Sequence, residues 1–386
     1  MTRVVARRLT DRWTLGMMSG TSLDGVDLSL VKFGRDYSVS RSINTYFKFS
    51  GGLRQEVYRI ASDDRVSKSD LMSADMKLGQ FYAKSARRFL ESAEAGGIKP
   101  DLVGCHGQTV FHLAPAGKRT SWGGLSLQIG SPDAIAQELG VPVISDFRTA
   151  DLAAGGRGAP LTPIAHQLFF GLRRTTQLVV NVGGISNVTF LGDAKDIGDV
   201  AGTDCGPGNM LIDGACRKLL GKPYDRGGSV ALRGYVNDDL LDSLKAMPFL
   251  SRRIPFALGR EQFGDDVLEK ILSISSKLRL APENVLATLT FFTAYCIRRV
   301  GSRLGNAGRV LICGGGAHNV FLRNALEDLF KGAEVVDTGT EGVDPDFVES
   351  ISFALFANLV LDRKAANLPR VTGARRSVLL GKITLV

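Results

Sequence analysis

Hydrophobic and polar positions alternate between strand-like and helix-like periods along the whole chain, a pattern that predicts an α/β protein. Helical periodicity covers residues 70–97, 131–140, 281–305 and about 346–364. We expect the first of these helices to begin at Ser69 or Asp70 and the second to have Ser131 as its cap. The third is apolar on most faces, which predicts a buried helix.

Three apolar strands run into glycine-rich turns. "WTLGMMSGTSLDGVDLSLVKF" (13–33) and "QLVVNVGGISNVTFLG" (177–192) each read as strand, turn and strand, whereas "RVLICGGGAHNVFLRNALEDLF" (309–330) reads as strand, glycines and helix. Two hairpins of the same form predict a duplicated domain, with each half offering a glycine turn to a shared cleft.

These turns match neither of the common nucleotide-binding fingerprints. GxxxxGK[ST] is absent, and "GGGAHN" lacks the GxGxxG spacing. A phosphate clamp made of two hairpin turns remains, in which backbone N–H groups and the hydroxyls of Ser19, Thr21 and Ser22 donate to an anion. Any one turn is also what an ordinary hairpin uses. The three together favour the ATP-binding fold of actin and hexokinase.

Composition narrows the class of partner. The chain has 386 residues, 44% of them hydrophobic, enough for two domains, and a net charge of +9. We interpret the Arg-rich start, 2–12, as a solvated tail; no basic stripe interleaved with aromatics follows, so we expect no nucleic-acid partner. The charge suits anionic small molecules.

Cysteine usage and hydropathy bear on the compartment. Five cysteines lie scattered without a CxxC pair, which argues against a disulfide framework and a zinc site. No signal-peptide core and no run of roughly 18 apolar residues is evident, so we expect a cytoplasmic protein with no membrane partner.

Blocks of sequence along nearly the whole chain, in the same order, resemble the signatures of anhydro-N-acetylmuramic acid kinases. They are "GMMSGTSLDGVD" (16–27), "CHGQT" (105–109), "LQIG" (127–130), "GGRGAPLTP" (155–163), "NVGGISN" (181–187), "DCGPGNMLID" (204–213), "GRE" (259–261), "CGGGAHN" (313–319) and "VTGA" (371–374).

The resemblance implies a fold and a reaction. The fold is a two-domain actin/hexokinase-like, duplicated ribonuclease H-like α/β fold with an interdomain active-site cleft. We expect one domain at 1–145 with 346–386 returning to it, and a second at 146–345. The enzyme would use ATP and Mg²⁺ to open 1,6-anhydro-N-acetylmuramic acid with water and phosphorylate O6, giving N-acetylmuramic acid 6-phosphate. The family also implies a homodimer.

Two carboxylates match the family's catalytic positions. Asp204 matches the base that activates water, as in an inverting glycosidase, and Glu349 matches a glutamate that holds this water. Each has a plainer interpretation: Asp204 could cap the helix expected near Gly208, and Glu349 could be a first-turn acid favoured by the helix dipole.

The remaining predicted contacts belong to the nucleotide and the sugar. Expected nucleotide contacts are Ser19, Gly20, Thr21, Ser22, Asp24, Gly183, Gly184, Ser186, Gly314, Gly315, Gly316 and Asn319. Asp24 is also the candidate Mg²⁺ partner through water, or simply a turn aspartate. Expected sugar contacts are Thr109, Arg148, Arg157, Asp204 and Glu349. His106 and His112 lack metal-ligand spacing and are predicted to be structural or substrate-lining.

One block departs from the family pattern. Where the family has three successive arginines and then GGQGAP, this chain reads "DFRTADLAAGGRGAP" (146–160), which keeps only Arg148 and places Arg157 where glutamine is usual. Our hypothesis is that Arg157, or another cation on the same loop, replaces the positive charge lost at Ala150 and binds the lactyl carboxylate. The altered block leaves open a kinase for another anhydrosugar. A non-catalytic actin-like ATPase switch is the alternative outside the sugar kinases, although a carboxylate such as Asp204 has no role there.

Overall fold

The computed structural model describes residues 9–20, 22–63, 65–114, 123–171, 175–192 and 199–386, with the side chains of 9, 260 and 261 outside the description. The chain forms two compact units. Unit 1 comprises Met1–Phe169 with Phe347–Val386, and unit 2 comprises Phe170–Asp346. The first boundary therefore follows residue 169, whereas the sequence suggested residue 145.

Strands and helices alternate as the hydrophobic pattern predicts. The strands in the described residues are β1 (Trp13–Ser19), β2 (Gly25–Phe33), β3 (Val39–Lys48), β4 (Leu102–Leu113), β5 (Leu125–Ile129), β6 (Val143–Ser145), β7 (Gln177–Val182), β8 (Ile185–Leu191), β9 (Ala201–Pro207), β10 (Arg309–Cys313), β11 (Glu334–Asp337) and β12 (Lys382–Thr384). The α-helices there are α1 (Gly51–Ser62), α2 (Lys68–Leu90), α3 (Pro132–Leu139), α4 (Thr149–Ala153), α5 (Pro163–Phe170), α6 (Met210–Leu220), α7 (Asp238–Lys245), α8 (Asp265–Lys277), α9 (Pro282–Leu304), α10 (Val320–Leu329), α11 (Val348–Leu361) and α12 (Pro369–Thr372).

The sheets of the two units share a core of five strands with the same order and directions. Unit 1 has the order β12-β6-β4-β1-β2-β3, with β5 paired to β4, and unit 2 has the order β11-β10-β7-β8-β9. In each, three strands form an antiparallel meander, and the first of them pairs in parallel with a later strand, β1 with β4 and β7 with β10. The predicted α/β class and the duplication are confirmed by this shared topology.

Helix α11 lies very close to the sheet of unit 1, and glycine makes the approach possible. A Cβ on Gly16 of β1 would lie 1.9 Å from the carbonyl oxygen of Ser350, and one on Gly104 of β4 would lie 2.1 Å from that of Phe353. These glycines are register partners on adjacent strands. The hydroxyl of Ser29 on β2 lies 2.7 Å from that of Ser350. The first two turns of α11 are thereby fixed against three strands.

The predicted limits of a helix agree with the structure where a capping residue next to the helix sets them. The Ser131 hydroxyl accepts from the Ala134 N–H, and Gly140 ends α3 with φ of 67°. Helix α9 begins at Pro282 and is buried on most of its length, as predicted. Helix α2 differs, because its cap is Ser67 and it ends at Leu90, before the glycine pair.

The prediction of a solvated N-terminal tail is wrong at its last residue. Arg12 is 6% exposed. Its guanidinium donates to the Asp362 carboxylate at 2.7 Å and to the Asn358 side chain at 3.2 Å. The pairing ties the chain before β1 to the end of α11, since a buried arginine needs a partner for its charge. Residues 2–8 of the predicted tail lie outside the described residues.

Candidate functional site

The hairpin between β1 and β2 holds the first predicted phosphate turn. The Ser19 hydroxyl donates to the Gly25 carbonyl at 2.8 Å and accepts from the Tyr82 hydroxyl at 2.7 Å. Ser19 thus closes the neck of the turn, and its proton is already used within the protein. Around Gly20, by contrast, a Cβ would meet nothing within 4 Å. The turn therefore offers backbone at Gly20, and the exposed Ser22 offers a hydroxyl. Thr21 lies outside the described residues.

Asp24 closes the same turn and is partly buried. Its backbone carbonyl accepts from the Phe49 N–H at 2.8 Å, which ties the end of the turn to the start of the next element. Burial raises the pKa of Tyr46 to about 12, and the charges of Asp24 and Asp27 act in the same direction. Among the described residues no group of three or more His, Cys, Asp or Glu side chains is placed to hold a metal ion. A Mg²⁺ ion here would depend on phosphate oxygens and water for most of its ligands.

Glu349 lies in the first turn of α11, and its negative charge raises the pKa of Arg148. Arg148 donates from Nη1 to the Gly158 carbonyl at 2.7 Å, and from Nε and Nη2 to His106 Nε2 at 3.1 and 2.9 Å. Burial lowers the pKa of Arg148 to about 10, while the charges of Glu349 and Asp151 oppose this. Unit 1 thus brings His106 together with Arg148 and Glu349, two of the predicted sugar contacts.

Asp151 organises the loop that carries Arg157, and sequence reasoning did not single it out. Its buried carboxylate accepts from the Gly158 N–H, the Asn367 amide and the Thr372 hydroxyl, at 2.7–2.8 Å. Arg157 donates from Nη2 to the Val371 carbonyl at 2.5 Å. The "GGRGAP" and "VTGA" blocks therefore meet around one carboxylate. In the sequence, Asp151 was marked only by its place between the "LQIG" and "GGRGAPLTP" blocks.

Thr109 lies on β4 and accepts a hydrogen bond from Gln128 Nε2 at 3.2 Å. Residues of β4 and β5 also border a cavity of about 210 Å³ within unit 1. Its walls include His106, Gln128 and Asp146. His112 contacts the Ser126 hydroxyl at 3.0 Å. His106 therefore borders this cavity while being almost fully buried, and both predicted roles, structural and substrate-lining, stay predictions.

In unit 2 the glycine turn between β7 and β8 folds onto the start of α6. The carbonyls of Gly183 and Gly184 accept from the N–H groups of Asn209 and Gly208, at 2.8 and 2.9 Å. A Cβ on Gly208 would lie 2.2 Å from the Gly183 carbonyl, so this position requires glycine. The Ser186 hydroxyl is fully buried and donates to the Gly206 carbonyl at 3.2 Å. The Ser186 hydroxyl thus links β8 to the neighbouring strand β9, and its proton, like that of Ser19, is used within the protein.

The three glycines after β10 differ in what they permit. Gly314 has φ of 75°, and a Cβ there would lie 2.5 Å from the Asn181 side chain. A Cβ on Gly316 would clash with Val182 at 2.4 Å. At Gly315 the nearest atom would be 3.7 Å away, which leaves its backbone accessible. Asn319 caps α10 by accepting from the Leu322 N–H at 3.0 Å.

Asp204 does not cap a helix. It lies on β9, and α6 begins six residues later at Met210, after Asn209. The register of β8 and β9 shifts between Ser186 and Asn187, so that Cys205 is an extra residue beside Asp204. Such a bulge re-aims the neighbouring side chain. Asp204 Oδ2 accepts from the Leu258 N–H at 2.7 Å. The structure thus holds this carboxylate by a backbone bond and excludes the capping interpretation.

The five cysteines are buried and form no disulfide. Burial raises the pKa of the Cys105 thiol to about 12, so this thiol is protonated at neutral pH. None of the helices in the described part of the chain is both long and apolar enough to cross a membrane. The side chains of 260 and 261, in the "GRE" block, lie outside the description.

The family model of anhydro-N-acetylmuramic acid kinase matches residues 12–386. The chain belongs to this family. An anhydro-N-acetylmuramic acid kinase of Hahella chejuensis (strain KCTC 2396) is 38% identical over 95% of this chain and 97% of that protein. Another, of Pseudomonas fluorescens (strain Pf0-1), is 39% identical over 96% of this chain and 98% of that protein. The predicted family and the prediction of a sugar kinase are confirmed.

Among solved structures, the activator of a 2-hydroxyisocaproyl-CoA dehydratase from Clostridium difficile with bound ADPNP aligns with a TM-score of 0.47 and 12% identity. The alignment covers 91% of this chain and 96% of that one. A likeness this distant adds nothing to the family assignment. The duplication of the sheet in the two units rests on the strand orders and pairings described above.

Proposed function

We propose that this protein uses ATP to phosphorylate O6 of 1,6-anhydro-N-acetylmuramic acid while water opens the anhydro bridge, releasing N-acetylmuramic acid 6-phosphate. Family membership over residues 12–386 supports the substrate class. The observation that carries the reaction is Asp204, whose carboxylate sits at a β-bulge and is held by the Leu258 N–H. A carboxylate positioned in this way is what an attacking water needs as its base.

The chemistry requires two events at one sugar. Asp204 takes a proton from water as the water attacks C1, and the C1–O6 bond breaks. O6, which would otherwise need a general acid, takes the γ-phosphoryl group of ATP as the bond from that group to the β-phosphate oxygen breaks, and ADP leaves. Glu349, at the first turn of α11, has the role of holding the attacking water. Because phosphoryl transfer depends mainly on positioning and neutralised charge, few further reactive groups are needed.

The phosphates of ATP are assigned to backbone N–H groups. Gly20 in unit 1, and Gly183 and Gly315 in unit 2, are the predicted contacts around which a side chain would meet nothing closer than 3.7 Å. Backbone at such positions can approach an anion closely. Ser19 contributes by bracing its hairpin and Ser186 by linking β8 to β9, while Gly314, Gly316 and Asn319 shape the third turn. Gly184 and Thr21 keep their predicted roles as neighbours of the phosphates.

Asp24 fits the ligand preference of Mg²⁺, a partly buried carboxylate beside the phosphate turn. When bound, the ion would neutralise charge developing on the phosphates. Arg148, Thr109 and Arg157 are assigned to the sugar, with Arg157 as the candidate for the lactyl carboxylate. A homodimer working in the cytoplasm on a small-molecule substrate, without nucleic acid or membrane, stays a prediction.

The test combines isotope labelling with one substitution. Purified protein, Mg-ATP and 1,6-anhydro-N-acetylmuramic acid are incubated in ¹⁸O-water, and products are analysed by mass spectrometry. We expect a phosphorylated sugar carrying one ¹⁸O at C1, and its loss in Asp204→Asn. Asp239→Asn, an exposed carboxylate on α7 of the same unit, is the matched control and should behave as wild type.

Other results would contradict specific parts of the proposal. ATP hydrolysis without a sugar product would point to the ATPase switch, and turnover only with a different anhydrosugar would change the substrate. If Asp204→Asn formed labelled product at the wild-type rate, Asp204 would not be the base.

A further inference from the structure

His106 is a buried titratable residue with no part in the proposed reaction, and its surroundings are unusually well defined. It lies on β4 and is 2% exposed. Its ring packs on Phe353 of α11, with centroids 4.6 Å apart. Strand β4 and helix α11 thus hold the imidazole between them. Both ring nitrogens are engaged, one by backbone and one by a cation.

The partners of the ring fix its protonation state. Nδ1 lies 2.8 Å from the Gly107 carbonyl, which can only accept, so Nδ1 carries the proton. Nε2 receives two N–H groups of Arg148, which can only donate, so Nε2 is an acceptor. Burial, and then the charges of Arg148 and His112, lower the pKa of His106 well below 6.5. The imidazole is therefore neutral, in a single tautomer.

A neutral acceptor at this place determines where the guanidinium of Arg148 points. Nε2 of His106 and the Gly158 carbonyl take three of its N–H groups from two directions. The negative charge of Glu349 raises the pKa of Arg148 and so favours its protonated form. The geometry also places Glu349 nearby, because Phe353, one helical turn later on α11, packs on the His106 ring. A planar guanidinium held at two edges has little freedom to turn.

We propose that His106 is a positioning residue, which orients Arg148 as a neutral hydrogen-bond acceptor, so that the charge of Arg148 acts on the carboxylate of Glu349 from a defined position. The inference rests on the proposed function, because it assigns Glu349 to the attacking water. His106 itself touches no reacting atom. Its contribution is to the rate of water attack, with no direct part in ATP binding.

Two substitutions separate the two hydrogen bonds of the ring. The terminal amide of glutamine reaches the place of Nε2, so His106→Gln can still accept from Arg148. The shorter amide of asparagine matches Nδ1, so His106→Asn keeps the bond to Gly107 and loses the one to Arg148. We expect His106→Gln to retain most of kcat. His106→Asn should lose about 10-fold or more, because a buried guanidinium loses its acceptor. The KM for ATP should change in neither variant.

A double-mutant cycle with Glu349→Gln tests whether the effect passes through that carboxylate. We expect the loss caused by His106→Asn to shrink to less than about 3-fold when Glu349 is already replaced, since coupled residues are not additive. Circular dichroism and thermal melting of each variant check that the fold is kept.

Each outcome decides the proposal. Equal losses in the Gln and Asn variants, the reverse order, or an additive cycle would overturn it and leave His106 as a packing residue. If wild type itself forms no labelled sugar phosphate, the proposed function fails instead, which is a different and separately visible result.

Discussion

Replacing Gly16 by alanine tests the link between sheet packing and the site most directly. The added Cβ would lie 1.9 Å from the Ser350 carbonyl oxygen, whereas carbon and oxygen rarely approach closer than about 3.3 Å. Helix α11 would therefore have to move away from β1 by more than about 1 Å. Glu349 precedes Ser350, so the same movement displaces the carboxylate assigned to the water.

The magnitude follows from the size of the clash. Overpacking a well-packed core costs about 1–3 kcal/mol, occasionally more, and a backbone oxygen cannot turn aside as a flexible side chain can. We therefore expect about 3 kcal/mol for Gly16→Ala. For a unit of this size that corresponds to a fall in Tm of about 6–12 °C. A displacement of this size in a catalytic group can lower kcat by about 100-fold.

Differential scanning calorimetry and steady-state kinetics provide the assay. Gly52→Ala is the matched control, because Gly52 lies within α1 of the same unit and a Cβ there meets nothing within 4 Å. The control should be neutral or slightly stabilising, since alanine favours a helix. If Gly16→Ala matched the control in both Tm and kcat, close packing of α11 would not be what positions Glu349.

Three further predictions address other parts of the chain. Asp151→Ala leaves three hydrogen-bond donors without their acceptor and should destabilise unit 1 by about 3 kcal/mol or more, measured by denaturant unfolding; an unchanged midpoint would contradict this account of the loop. Burial raises the pKa of Asp213 from 3.8 to about 7, so the folded protein keeps a proton that the unfolded chain releases, and stability falls as pH rises from about 4 to about 7. Asp213→Asn should therefore raise Tm at pH 8 more than at pH 5, and an equal change at both would be evidence against the shift. Arg157→Gln should raise the KM for the sugar and leave that for ATP unchanged, whereas an unaltered KM for the sugar would show that Arg157 does not replace the missing arginine.

Several features could be predicted from sequence because they are local. Ser131 and Pro132 act on the first turn of α3 and Gly140 on its last turn, so the limits of the helix needed no knowledge of the rest of the fold. The strand and glycine segments at 13–33, 177–192 and 309–330 were likewise evident from hydrophobic period and turn residues. The motif blocks identified the family, which the family model matching residues 12–386 confirms.

The roles of individual side chains could not be predicted in the same way, because distant segments supply their partners. Ser19 and Ser186 looked like free hydroxyls in glycine turns, yet each donates to a carbonyl across its own hairpin neck or sheet. Arg12 looked solvated until Asp362 came beside it. Such pairings depend on which segments the fold brings together, and no local pattern contains that information.

The sequence by itself determined the α/β class, the duplicated hairpins, the family and the candidate carboxylates, because period, turn chemistry and motif order lie in the linear chain. Tertiary structure alone decided that Asp204 sits at a bulge of β9 rather than capping α6, and that Asp151 gathers two remote blocks. It also decided that His106 is a neutral acceptor for Arg148. The physical reason is the same in each case: buried polar groups must find partners, and only the folded chain determines which partners are within reach.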